Sequence, residues 1–250
     1  MNIHDILGDP AEKPLDHLVT DGGFCGIFRK IGCIGDSLSS GEFEAFDENG
    51  VKTYHDMAEY SWGQFLARMA GCTVFNFSRG GMTAKEYYDS FAEENGFWDK
   101  EKACQAYIIA LGVNDLLNQN MSLEAFGDYY GAILSRLRQI SPDARFFFMT
   151  MPRSDTETPE SIQKKQGHAD LLYTMAENCP NAYVLDFRKY APVYDDAFRK
   201  AFYLGGHMNP CGYLLTAKMV ASYVDYIIRH DWDAFREVAF IGTKLRYSHP

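Results

Sequence analysis

Short apolar runs alternate along this chain with longer stretches in which apolar residues recur at helical spacing. The runs Ile31–Gly35, Thr73–Phe77, Ala106–Leu111, Arg145–Thr150 and Ala182–Asp186 are apolar almost throughout. Strands buried on both faces of a parallel sheet read this way. Between the runs, the pattern shifts to a helical period. Tyr54–Ala70 is predicted as a helix closed by Gly71, a suitable residue just past a helix end. Thr83-Ala84-Lys85-Glu86 has capping-box spacing and should open the next helix. Leu123–Ile140 stops before Ser141-Pro142, and Thr158-Pro159 fits an N-cap followed by a first-turn proline. A last helix, Cys211–Arg229, begins after Pro210. This alternation predicts an α/β fold of one domain, its core covering about residues 31–230. The flanking segments 1–30 and 231–250 carry Phe24, Ile27, Phe28, Phe235, Phe240 and Ile241. They are too apolar to be free tails, so both are expected to pack on the core.

Composition narrows the partners. The chain's 24 basic and 34 acidic side chains give it a net charge of −10, which offers no basic stripe for a phosphate backbone. Nucleic acid is therefore not an expected partner, and an anionic lipid surface would repel the chain. The longest stretch without formal charge, Ala201–Ala217, is broken by Gly205-Gly206, His207 and Asn209-Pro210. It cannot form the roughly 20-residue apolar helix that spans a bilayer. The start, Met1-Asn2-Ile3-His4-Asp5, brings acid early and no basic-led apolar run, so no secretory leader is expected. Cys25, Cys33, Cys72, Cys104, Cys179 and Cys211 are scattered without a C-x-x-C pair. They read as reduced, mostly buried thiols of a cytoplasmic protein. His4, His17, His55, His168, His230 and His249 show no metal-ligand spacing, and surface or capping roles are expected for them. Oligomeric state is not readable.

Four loops carry chemistry. The first strand runs into Gly35-Asp36-Ser37-Leu38, which puts a serine at the carboxyl end of a parallel strand, where open sheets bind ligands. The second strand leads to Ser78-Arg79-Gly80-Gly81-Met82-Thr83, and the third to Gly112-Val113-Asn114-Asp115. Gly205-Gly206-His207-Met208-Asn209-Pro210 precedes the last helix. A serine hydroxyl becomes a nucleophile when a base takes its proton, and an imidazole can be that base. An ordinary imidazole, with a pKa near 6.5, suits proton exchange at neutral pH. Gly-x-Ser-x-Gly is absent around Ser37, which disfavours the usual α/β-hydrolase elbow.

Ser37, Gly81, Asn114 and His207, in that order and on separate loops, resemble the SGNH hydrolases, the GDSL-type esterase and lipase superfamily. The resemblance spans about Ile31–Arg229. It implies a three-layer α/β/α sandwich whose five-stranded parallel sheet has the flavodoxin-like order 2-1-3-4-5. It also implies an esterase without a cofactor or metal, in which Ser37 is the nucleophile and His207 the base. The backbone N–H groups of Ser37 and Gly81 and the Asn114 amide then form the oxyanion hole. Asp36 is expected to orient its loop, and Asp115 to act as a local cap acceptor.

The family's usual aspartate, three residues before the histidine, is replaced here by Leu204. Its carbonyl or another one could accept the Nδ1 proton of His207, and a carbonyl partner is the preferred expectation. The alternative is an acid from elsewhere, with Asp186, Asp195 and Asp196 as candidates. Glu42 and Glu44 read as a solvated acidic loop. Arg79 and Arg153 on the rim are candidates for holding an anionic substrate group. A short acyl group, acetyl above all, on a carbohydrate or small alcohol is the expected substrate. A catalytically impaired ligand-binding relative, an acyltransferase and a lysophospholipase stay open as alternatives.

Overall fold

The computed structural model describes residue 3 and residues 6–247, and His4 and His249 lie outside them. The central sheet is formed by β1 (Lys30–Gly35), β4 (Thr73–Asn76), β5 (Ala106–Ala110), β6 (Arg145–Met149) and β7 (Ala182–Leu185). All its pairings are parallel, in the order β4-β1-β5-β6-β7. This is the 2-1-3-4-5 order expected. Because β1 lies between β4 and β5, the chain reverses its direction of travel across the sheet there. Such a switch point opens a crevice beyond the strand ends.

Side chains alternate across the sheet and seed two cores. Ile31, Cys33, Ile108 and Phe147 face α2 (Trp62–Ala70) and α9 (Pro210–His230). Ile34, Tyr107, Ile109, Phe146 and Phe148 face the opposite layer. That layer contains α3 (Ala84–Glu86), a wider π turn at Tyr87–Phe91, α4 (Ala92–Glu94), α5 (Leu123–Ile140) and α6 (Pro159–Glu177). The predicted caps hold. Thr83 accepts from Glu86 N–H, Thr158 precedes Pro159 as N-cap of α6, and Gly71 ends α2 in the left-handed region.

The described parts of both flanking segments dock on the core. Val19 N–H donates to Ser222 Oγ (2.9 Å) and Phe24 N–H to Asp225 Oδ1 (2.8 Å). Arg29 donates to the carbonyls of Ala239 and Ile241, while Phe235 and Ile241 are buried. Of the cysteines, Cys25, Cys33 and Cys104 are buried, Cys72 and Cys179 half-buried and Cys211 exposed. Among the described residues, no helix is long and apolar enough to cross a membrane, and no cluster of three or more His, Cys, Asp or Glu could hold a metal.

The structure overturns one predicted element. The helix expected over Tyr54–Ala70 starts only at Trp62, after Ser61, whose hydroxyl caps Gln64 N–H. Its first part is instead a strand, β3 (Lys52–Asp56), paired antiparallel with β2 (Glu42–Phe46). The turn explains the hairpin. The Asp47 carboxylate accepts from Asn49 N–H and Val51 N–H, both at 2.8 Å, and Gly50 takes φ +75°. An acidic side chain that mimics the backbone, followed by a glycine in the left-handed region, makes a favourable hairpin loop. The remaining elements are α1 (Ser37–Ser40), α7 (Phe187–Tyr190), α8 (Asp196–Phe202) and a small hairpin, β8 (Tyr203–Leu204) with β9 (His207–Met208).

Candidate active site

Ser37 is the first residue of α1, directly beyond the end of β1. Asp36 is the N-cap, and its buried carboxylate accepts from Leu38 N–H at 3.0 Å. Burial raises the Asp36 pKa to about 7, against the lowering effect of that N–H. The turn is tight. A Cβ on Gly35 would lie 2.3 Å from Ser39 Oγ, and Gly41 closes α1 with φ +88°. Ser37 itself is half-buried at the surface of the crevice. Beside the turn lies an apolar cavity of about 60 Å³, lined by Asp36, Leu38, Trp62, Val113, Met151 and Met208 among others, with Ser37 and His207 outside its lining.

Hydrogen bonds tie the neighbouring loops to this turn. Asn76 Nδ2 donates to the Ser40 carbonyl (3.0 Å), and Ser78 Oγ to the Cys33 carbonyl (3.1 Å). Gly81 takes φ +72°, a conformation that suits glycine. Asn114 reaches the same loop through its Nδ2, which donates to the Met82 carbonyl at 3.0 Å. Its Oδ1 accepts from Asn118 Nδ2 at 2.7 Å, fixing which way the amide faces. One Nδ2 hydrogen is engaged by Met82, and the amide has a second to offer. Asp115 is fully buried and accepts from Ala84 N–H at 2.8 Å, so it caps α3 across the loops. Burial raises its pKa to about 6.

A further support is His168. It is fully buried rather than at the surface, because its ring packs on Phe126 and its Nε2 donates to the Leu111 carbonyl at 3.0 Å. Burial lowers its pKa to about 4, so the ring is neutral. It braces the start of the Asn114 loop. Gly112, at φ +127°, leaves it room, since a Cβ there would sit 2.7 Å from His168 Nε2.

His207 stands on β9, and neither of its ring nitrogens meets the expected partner. Nδ1 donates to Glu44 Oε1 at 3.1 Å, a carboxylate rather than a carbonyl. Leu204 is 57% exposed and pairs with His207 only through the backbone of the small hairpin. The acids considered from sequence are committed elsewhere. Asp186 accepts from Thr150, Tyr173 and Lys189, Asp195 caps α8, and Asp196 pairs with Arg199. The other nitrogen, Nε2, lies 2.9 Å from Glu42 Oε1.

The reading of Glu42 and Glu44 as a solvated loop is thus corrected. Strand geometry sends alternate residues to opposite faces. Phe43 points inward onto Tyr60 and Tyr213, while Glu42 and Glu44 share the face turned to His207. Glu44 also accepts from Gly206 N–H (2.7 Å) and pairs with Lys52 Nζ (2.7 Å). The Lys52 bond, foremost, keeps the Glu44 pKa below its ordinary value. Glycine is required for this approach, because a Cβ on Gly206 would lie 2.5 Å from Glu44 Oε1. The Tyr54 ring packs edge-on against the imidazole, with centroids 5.8 Å apart. Tyr213 OH, from α9, donates to the Glu42 carbonyl at 2.7 Å and lies 3.3 Å from that of Ser37, linking the hairpin to the Ser37 turn.

The rim arginines differ in their engagement. Arg79 is paired with Glu86 and stacked over Phe91 at 4.6 Å, while Arg153 is exposed in the loop after β6. Sequence reasoning missed the face of β2 that meets His207. The available signal was the Asp47-Glu48-Asn49-Gly50 turn between two alternating segments.

The sequence profile of the GDSL-like lipase/acylhydrolase family matches residues 33–215. No curated protein matches the chain in sequence. Among solved structures, a carbohydrate esterase family 2 enzyme of Corynascus thermopiles (Myceliophthora fergusii) with a carbohydrate-binding domain superposes with a TM-score of 0.61 and 16% identity. The match covers 78% of this chain but 65% of that one. A family two carbohydrate esterase of Clostridium thermocellum in complex with cellohexaose gives 0.58 and 16%, over 80% of this chain and 64% of the other. The psychrotrophic esterase EstA of Pseudoalteromonas sp. gives 0.55 and 14%, over 81% and 100%. At these identities the likeness is one of fold. The profile match covers most of the chain, and the chain belongs to the GDSL-like lipase/acylhydrolase family.

Proposed function

We propose that this chain is a serine esterase that works through an acyl-enzyme on Ser37. The Ser37 oxygen bonds to the acyl carbon as its proton passes to His207 Nε2. That proton then goes to the departing alcohol oxygen as the ester C–O bond breaks. Water reverses the sequence: its oxygen adds to the acyl carbon, its proton moves to Nε2, and Ser37 leaves with that proton. The N–H groups of Ser37 and Gly81 and the Asn114 amide hold the oxyanion in both halves. Glu44 keeps the proton of the resting ring on Nδ1 and stabilises the imidazolium, the part an aspartate plays in serine triads. No cofactor is needed for these steps.

One observation carries the reading: three glycine-bearing loops meet at the end of β1, and a carboxylate holds the imidazole beside them at Nδ1. The small apolar cavity beside the turn supports a short acyl group, and the fold's likeness to carbohydrate esterases supports a sugar or small alcohol as the other half. Hydrolysis of p-nitrophenyl esters from C2 to C16 tests this. Highest turnover at acetyl or propionyl is expected, and a maximum at C8 or longer contradicts the short-chain assignment. Loss of turnover in Ser37→Ala and His207→Ala is expected, and rates that survive both changes contradict the mechanism.

A further inference from the structure

The Nε2 of His207 is the atom that must receive the Ser37 proton and return it to the leaving oxygen, yet here it faces Glu42 Oε1 at 2.9 Å. Two lone pairs at that distance repel, so a proton lies between them. For Nε2 to act as base the pair must part and that proton pass to solvent, which leaves Glu42 an ionised carboxylate. Burial foremost, with the nearby charges of Asp56 and Glu44, makes that ionised form costly, against the opposing pull of His207. The second oxygen is also placed closely: a Cβ on Gly80 would fall 1.8 Å from Glu42 Oε2. The carboxylate therefore bridges the base and the loop that bears Gly81. Its strand is fixed on one side by the Tyr213 bond to the Glu42 carbonyl and on the other by pairing with β3.

We propose that Glu42 selects the alcohol half of the ester, favouring alcohols with a hydroxyl next to the ester oxygen. This rests on the esterase reading of the site. A substrate whose leaving oxygen docks on Nε2 must displace Glu42 Oε1 from that nitrogen. The backbone of β2 is anchored, so the carboxylate moves aside but stays within a side-chain rotation of the leaving group. A half-buried carboxylate deprived of its donor is costly unless another takes its place. A vicinal hydroxyl on a polyol or sugar supplies that donor. A plain alkyl chain does not, and an anionic alcohol half is repelled.

Three acetates of matched length separate the possibilities: 2,3-dihydroxypropyl, 2,3-dimethoxypropyl and propyl acetate. The dimethoxy ester keeps the acceptor oxygens and lacks the donors. Wild type should show kcat/KM at least about tenfold higher on the dihydroxy ester than on either control, the order expected for a bond to a charged group. In Glu42→Ala that preference should fall to within about twofold. Glu42→Gln, which keeps the shape without the charge, should fall at least threefold, and it decides the matter if the alanine variant does not fold. Equal preference in wild type and in a folded Glu42 variant overturns the proposal, as does a wild type indifferent to the hydroxyls. Fluorophosphonate labelling of wild type separates the two levels. Label on Ser37 with no hydroxyl preference removes only the role of Glu42, whereas no label and no turnover of any ester removes the esterase reading as well.

Discussion

The two sides of the crevice are built differently. The Ser37 side is a buried turn at the end of the central sheet, held by backbone bonds, helix caps and glycines with nothing to spare around them. The His207 side is held by side chains of a two-stranded hairpin outside the sheet. Its anchoring pair, Glu44 with Lys52, is partly open to solvent. Backbone preorganisation is insensitive to charge, while carboxylate anchoring depends on it. Geometry on the Ser37 side is thus set by folding itself, and the His207 ring is set by a few side chains of one hairpin.

That contrast can be broken from either side. Removing the nucleophile with Ser37→Ala should have the largest effect, a fall in kcat of at least about 10⁴-fold with the fold intact, read by ester turnover and circular dichroism. Glu44→Gln should come next, at about 10³-fold in kcat, because the amide can present N–H to Nδ1 and stabilise the wrong tautomer. A loss under tenfold would mean that Glu44 is packing alone. Asn114→Ala should lower kcat by about 10²–10³-fold, as removal of one oxyanion donor does elsewhere, and lower stability by about 1–3 kcal/mol through the lost bond to the buried Met82 carbonyl, leaving the protein folded.

The smallest effect concerns stability. Asp36 has a folded pKa of about 7 against an ordinary 3.8, so the native state keeps a proton that the unfolded chain loses. Its contribution is full below about pH 4 and is lost as pH rises through about 7. His168 acts oppositely, its folded value of about 4 lying below the ordinary 6.5, so its contribution is lost as pH falls. Denaturant unfolding of wild type and Asp36→Asn at pH 4 to 8 separates the two. The variant should lack up to one proton's share of the decline with rising pH, about 1.4 kcal/mol per pH unit at most. Parallel curves would show that Asp36 is ionised throughout.

The nucleophile side was legible in the sequence because its constraints are local. The five apolar runs, the Thr83 and Thr158 caps, Gly35-Asp36-Ser37 and the paired glycines each register within a few residues. On the other side only His207 itself registered in the sequence, and the acids that hold it did not. Glu44 acquires its role only when β2 pairs with β3 and meets His207, 163 residues further on. The hairpin also competed with a plausible helix over Tyr54–Ala70, and periodicity alone favours the longer element. His168 was missed for a related reason, since a polar residue bracing a carbonyl from inside the core looks like any exposed histidine in sequence.

The central claim is that the hairpin carboxylate makes His207 a base for Ser37. The rate of fluorophosphonate labelling tests it without assuming any substrate, with the modified residue located by peptide mass. Wild type should be labelled at Ser37, and Glu44→Gln at the same residue at least about a hundredfold more slowly. Equal rates in the two proteins, or label on a residue other than Ser37, would contradict it.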